Sequence, residues 1–90
     1  MPLLNAQGIR VKSHGFSLLR AKESKESRRI PIEAVVKDTG LARMTVRRFL
    51  SPEEIDVSGS PLGAAATVAH FLGVSLSDLL SVEVGEEVTV

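Results

Sequence analysis

The sequence contains no cysteine, no tryptophan and no tyrosine, and it has only three phenylalanines. Without cysteine the chain has neither disulfides nor thiolate metal ligands, a composition that fits a reducing compartment, so we expect a cytoplasmic protein. No run approaches the roughly 20 apolar residues that span a bilayer, and we expect no signal peptide. Because 43% of the 90 residues are hydrophobic, the composition predicts one small domain with an aliphatic core.

Lysine and arginine are missing from residues 49–90 of the sequence. All eleven lysines and arginines lie between Arg10 and Arg48, and these eleven bases against four acids give residues 1–48 a net charge of +7. The other seven acids have no base among them, so residues 49–90 carry −7. This split predicts an electrostatically polarised molecule whose basic half attracts a polyanion. The alternative is a dipolar surface without a function.

Patterns that carry catalysis or bind metal are also missing from the sequence. His14 and His70 have no second histidine and no cysteine at ligand spacing, so we predict no metal site. No serine has a histidine at a recognised spacing, and no glycine-rich loop suits a phosphate. We therefore expect a protein that is not an enzyme and has no cofactor.

What the sequence does contain is a pair of short helices joined by one tight turn, over residues 32–50. Pro31 favours the first turn of the earlier helix, which is predicted to run to about Asp38. Gly40 suits the left-handed conformation that ends a helix. The later helix is predicted from about Ala42 to Leu50, before Pro52.

The two sides of this later helix differ in chemistry. A sector of roughly 100° forms an apolar stripe for packing, and its members are Ala42, Val46, Phe49 and Leu50. The opposite side carries Arg43, Met44, Arg47 and Arg48. On sequence alone this second face is either a binding surface or an ordinary solvated side of a helix.

Further helices are predicted on both sides of this pair. Residues 16–27 form a candidate first helix, and Ser60 followed by Pro61 is an N-cap and first-turn signal for a fourth helix. Residues 75–78 form a capping-box-like start for a short fifth helix. The inward side of the fourth helix is predicted to hold Leu62, Ala65, Ala66, Ala69 and Leu72.

The two ends of the chain carry signals for β-strands. Polarity alternates over Ile9–Lys12, and valines alternate on both sides of Gly85. The valine-rich tail predicts a strand or a hairpin, which either folds on itself, pairs with Ile9–Lys12, pairs with another subunit or frays. The predicted divisions are an arm or strand over residues 1–14, a helical domain over 15–80 and a valine-rich strand or hairpin over 81–90.

The segment Val35–Phe49 resembles the helix-turn-helix of the Cro/repressor-type family, the xenobiotic-response-element class. Residues 39–50 are also similar to the headpiece of the lactose-repressor class. The segment Leu62–Leu80 is similar to the last two helices of the Cro/repressor-type domain. This second similarity favours that family over the lactose-repressor class. The resemblance covers residues 16–80 and implies a mainly α fold, the lambda-repressor-like five-helix domain.

The resemblance implies a sequence-specific regulator that binds double-stranded DNA through the later helix of the pair. Matched by position, Arg43, Met44 and Arg47 face the bases, where arginine bonds guanine and methionine packs on a thymine methyl. Thr45 is placed to reach a phosphate. The other residues expected to contact the DNA backbone are Arg48, Lys37, Arg28 and Arg29.

Such proteins include phage repressors, Cro-like regulators and antitoxins. One helix reads only a few base pairs, so we expect a homodimer on a pseudo-palindromic operator. The valine-rich tail is a candidate for part of the dimer contact. The alternative function is a protein-interaction module that uses the same fold, binding either a toxin or an acidic partner.

Overall fold

The fold is mainly helical and includes one small sheet. The computed structural model describes residues 9–53 and 55–84, and within these ranges it has five helices and two antiparallel strands. In chain order these are β1 (Ile9–Ser13), α1 (Gly15–Glu26), α2 (Ile32–Thr39), α3 (Arg43–Phe49), α4 (Leu62–Leu72), α5 (Leu76–Leu79) and β2 (Leu80–Val84). The predicted class, mainly α with short strands towards the two ends, is confirmed at this level.

The sheet joins the two ends of the described chain. β1 pairs antiparallel with β2, with Val11 opposite Val82 and Ser13 opposite Leu80. Of the pairings that the sequence allowed for the tail, the one with the N-terminal strand is therefore present. The predicted turn at Gly85 lies outside the described residues.

The start of α1 is docked on the end of α3. Gly15 is buried, and a Cβ there would overlap the carbonyl oxygen of Phe49 and lie 2.8 Å from a methyl carbon of Leu50. The Ser13 hydroxyl donates to the same carbonyl at 2.7 Å and accepts the Gly15 N–H at 3.1 Å. Only glycine allows this close approach of two backbones.

The turn between α2 and α3 has the predicted geometry. Gly40 is left-handed, with φ of 73°, and its N–H donates to the carbonyl of Val36 at 2.9 Å. The Thr39 hydroxyl donates to the Val35 carbonyl at 2.7 Å and accepts the Leu41 N–H at 3.2 Å. These bonds occupy backbone groups that a helix end otherwise leaves unpaired, and they fix the direction of α3.

Two predicted helix starts are displaced by one residue. Pro31 and Pro61 are the N-cap residues of α2 and α4 and lie just before the first turn instead of within it. Ser60 therefore does not cap α4. In contrast, the capping box of α5 is confirmed, because the Ser75 hydroxyl accepts the Asp78 N–H while the Asp78 carboxylate accepts the Ser75 N–H.

The predicted inward side of α4 is partly wrong. Leu62 is 67% exposed and Ala66 is also exposed, whereas Ala64 and Val68 are buried. The helix has no charged residue to mark an outer side, so apolar spacing alone did not fix its rotation. The predictions for the three remaining positions are confirmed, since these side chains are buried: Ala65, Ala69 and Leu72.

One aliphatic core connects the elements. α4 is its central helix and packs against α1, α2, α3 and α5. No helix among the described residues is long and apolar enough to cross a bilayer. The buried core consists of Leu19, Ile30, Val35, Val46, Phe49, Leu50, Val57, Ala64, Ala65, Val68, Ala69, Leu72 and Leu79.

Candidate nucleic-acid interface

The inner side of α3 anchors the helix in the core. Val46 is fully buried, Phe49 is 1% exposed and Leu50 is 4% exposed, as the apolar stripe predicted. Ala42, the fourth predicted member, is exposed instead. It is the N-cap residue with an extended backbone, so its side chain does not follow the helical wheel on which the prediction depended.

The outer side of α3 faces solvent. Arg43, Arg47 and Arg48 are exposed, Met44 is 71% exposed, and Thr45 is half-buried between the two sides. The core therefore holds the backbone of α3 while its longest side chains project outward. A short basic helix presented in this way can be laid along a polyanion without disturbing the core.

Arg43 is already engaged by a carboxylate. Its Nη2 donates to Glu33 Oε1 at 2.8 Å and its Nη1 lies 2.6 Å from Glu33 Oε2, a two-pronged pair that ties α3 to α2. Both side chains are more than half exposed, so the pair contributes about 0–1 kcal/mol to stability. No local pattern in the sequence indicates this pair, because ten residues and a turn separate the partners.

The remaining arginines of α3 have no such partner among the residues that the structure describes. Within residues 9–53 and 55–84, no acidic oxygen lies within 4.0 Å of the guanidinium groups of Arg47, Arg48 or Arg29. Arg29 comes from the connection between α1 and α2, yet it lines the same surface depression as Arg47 and Arg48. The fold thus brings to one surface three guanidinium groups that have no acidic partner in the described part of the chain.

The other two residues predicted to contact the DNA backbone, Arg28 and Lys37, lie outside this surface. Arg28 is paired with Glu26, with its Nη2 at 3.0 Å from the carboxylate, and it lines a separate depression with His70 and Phe71 on α4. A hydrogen bond from Lys22, together with the charges of Lys22 and Arg28, keeps the pKa of Glu26 below its ordinary value. The acid is therefore charged at neutral pH and offsets the charge of Arg28.

Lys37 is exposed on α2, and it lines neither of these depressions. The structure thus gathers Arg43, Met44, Arg47 and Arg48 on one side of α3, with half-buried Thr45 at its edge, and adds Arg29 from the preceding connection. It does not bring Arg28 to that surface. Sequence analysis expected phosphate contacts from both Arg28 and Arg29, whereas their side chains line different depressions.

An open groove runs beside the outer face of α3, and we call it the α3 groove. It lies between α1, residues 29–32, α3 and a loop that contributes residues 50–52 and 55, and it has a volume of about 980 Å³. Phe16 and Ile55 contribute apolar walls that sequence analysis did not single out. Neither has a local signal in the sequence, because the groove forms only when α1 and the loop after α3 meet.

The geometry of α3 and its surroundings defines a basic surface with a solvent-exposed helix at its centre. Comparisons of the chain with protein-family models, with curated proteins and with solved structures gave no match. Among the described residues, no three histidine, aspartate or glutamate side chains come together as ligands for a metal ion. The charge and shape of this surface are therefore the properties that indicate its class of ligand.

Proposed function

We propose that this protein is a sequence-specific regulator that binds double-stranded DNA through a lambda-repressor-like helix-turn-helix, with α3 in the major groove. The observation that carries the proposal is the two-sided character of α3. Val46 and Phe49 are buried beneath it while three arginines and Met44 project from it. An α-helix fits the major groove, where arginine bonds guanine in a bidentate way and apolar groups contact the thymine methyl.

The arginines have different roles in this proposal. Arg47 lies in the middle of the exposed face and reads base edges, while Arg48 and Arg29 bind phosphates. Phosphate contacts release condensed counterions and supply affinity without sequence choice. Arg43 exchanges the Glu33 carboxylate for a base edge, so breaking this interhelical pair is a cost of binding DNA.

A homodimer completes the proposed mode of binding. Two copies of α3 placed about 34 Å apart reach successive major grooves on one side of the duplex. β2 is the proposed contact. Among the described residues it pairs only with β1, and its Val82 is 64% exposed. An unpaired strand edge is a ready template for pairing with another chain.

Selection from a pool of randomised duplexes at moderate salt tests the proposal. We expect an enriched motif made of two half-sites about one helical turn apart. The logarithm of the affinity should fall linearly with the logarithm of salt concentration, with a slope close to one per phosphate contact. If no motif is enriched, the regulator proposal fails and the protein-interaction module takes its place.

A further inference from the structure

The α3 groove has an apolar floor that DNA does not fill. Leu19, Ile30 and Leu50 form the floor and are each less than 8% exposed, whereas Phe16 and Ile55 in the walls are 36% and 39% exposed. At about 980 Å³ the groove is at the upper end of the range of roughly 300–1,000 Å³ typical of ligand sites. A duplex lying along α3 presents phosphates and base edges, which leave this floor without an apolar partner.

The rim of the groove is strongly basic. Among residues 9–53 and 55–84, four arginines and one acid line it, and the acid, Glu23, is already used inside the protein. Its Oε2 accepts the Ile30 N–H at 2.8 Å, and its Oε1 lies 3.8 Å from Arg20 Nε. The other three arginines of the rim have no acidic partner among the described residues; they are Arg29, Arg47 and Arg48. The rim therefore offers uncompensated positive charge around an apolar floor.

An acidic amphipathic peptide segment matches both properties. In helix-in-groove recognition, apolar side chains three and four residues apart enter the groove. Carboxylates beside them form charge-assisted, bidentate hydrogen bonds with arginine. The groove is open along one side, which suits a segment of chain better than an enclosed small molecule.

We propose that the α3 groove binds an acidic amphipathic segment of a partner protein and that this binding excludes DNA. The exclusion follows because Met44, Arg47 and Arg48 line the groove and also belong to the face proposed for DNA. This inference rests on the proposed function for the exclusion, whereas binding of the segment depends only on the groove. The partner would therefore act as a competitive release factor for the regulator.

A displayed library of random 16-residue peptides, selected on the full chain, tests binding to the groove. We expect enriched peptides with Leu, Phe or Met at helical spacing and with Asp or Glu beside them. Ile55→Ser should weaken a synthetic selected peptide roughly tenfold, because it removes an apolar wall, and should leave duplex affinity within about twofold. Leu62→Ser is the matched control, since Leu62 is 67% exposed on α4, and it should change neither affinity.

Competition tests the exclusion. The selected peptide should release a fluorescent duplex of the enriched motif in proportion to its occupancy, and Arg43→Ala should weaken the duplex but not the peptide because Arg43 does not line the groove. A complex that holds peptide and duplex together would overturn the exclusion. Four outcomes would overturn the peptide site. In the selection, these are enrichment of basic peptides and no enrichment at all. In binding assays, they are an unchanged peptide affinity in Ile55→Ser and a groove that binds the fatty acid dodecanoate but no peptide.

The two proposals fail in different ways. If selected peptides bind with the expected dependence on Ile55 but no duplex motif is enriched, the groove is a peptide site and the DNA proposal fails. If a duplex motif is enriched and no acidic peptide binds, the regulator stands and the groove proposal fails.

Discussion

α3 and α4 both bury one side in the same core, yet their outer sides have opposite chemistry. α3 projects three arginines, whereas α4 contains no lysine, arginine, aspartate or glutamate and its outer side includes Leu62, Ala66 and His70. Burial against the core therefore does not dictate what a helix presents to solvent. The arginines of α3 contribute little to packing, and in the proposed function their exposed position serves DNA binding.

The largest expected effect separates the inner side of α3 from its outer side. Phe49→Ala should lower the free energy of unfolding by about 3–5 kcal/mol, because it leaves a cavity at a residue that is 1% exposed. Met44→Ala, on the outer side, should change it by no more than about 0.5 kcal/mol. Urea denaturation measures both variants, and equal losses would contradict the assignment of the two sides.

The next test compares Gly15, the first residue of α1, which packs on the end of α3, with Gly63 on α4. Gly15→Ala should cost roughly 1–3 kcal/mol, because the added methyl group overlaps the Phe49 carbonyl. Gly63→Ala is the control, since a Cβ there meets nothing within 4 Å, and it should stabilise the helix by roughly 0.4–1 kcal/mol. Thermal unfolding of the two variants should therefore shift the midpoint in opposite directions.

The third test addresses the outer face of α3 directly. Arg47→Ala should reduce affinity for the enriched duplex by roughly 1–3 kcal/mol and relax base choice at one position. Arg10→Ala is the charge-matched control, because Arg10 lies on β1 opposite Glu83 and outside the α3 groove. Fluorescence anisotropy at fixed salt measures both. A similar loss for the two variants would mean that net charge, and not the α3 face, governs binding.

A smaller effect concerns the acid that holds Arg43. Glu33→Gln should leave stability within about 1 kcal/mol, since the pair is exposed. It should raise duplex affinity up to roughly fivefold, because Arg43 no longer has to leave a carboxylate. Glu83→Gln removes the same charge from β2 and should raise affinity less. Lower affinity of Glu33→Gln would instead show that the carboxylate positions Arg43 for DNA.

The smallest effect lies in the loop that connects α3 to α4. Hydrogen bonds from the Ser58 and Val11 N–H groups hold the pKa of Asp56 below its ordinary value of 3.8. A lowered pKa contributes stability at neutral pH, and that contribution is lost as the pH falls below about 4. Asp56→Asn should therefore be less stable than the parent at pH 7, and urea denaturation at pH 3 should show a narrower difference. If the difference in stability between the parent and Asp56→Asn is the same at pH 3 and pH 7, the ionised Asp56 carboxylate is not the source of this stability.

Local sequence signals predicted the elements around the candidate site well. Gly40 marked the turn, the Ser75 capping box marked α5, and the spacing of Val46 and Phe49 marked the buried side of α3. Each of these depends on interactions within a few residues, which a pattern in the sequence expresses directly. The exposed position of the α3 arginines was predicted for the same reason, and their contact with DNA stays a prediction.

The sequence by itself thus determined where the helices break and which side of α3 is charged, because these properties depend on backbone propensity and on the 3.6-residue repeat. Tertiary structure alone decided the rotation of α4, the pairing of β1 with β2, the Arg43–Glu33 pair and the α3 groove. Each of these four features depends on contacts between residues that are distant in the chain. Their geometry follows from how the common core packs, and no local pattern encodes it.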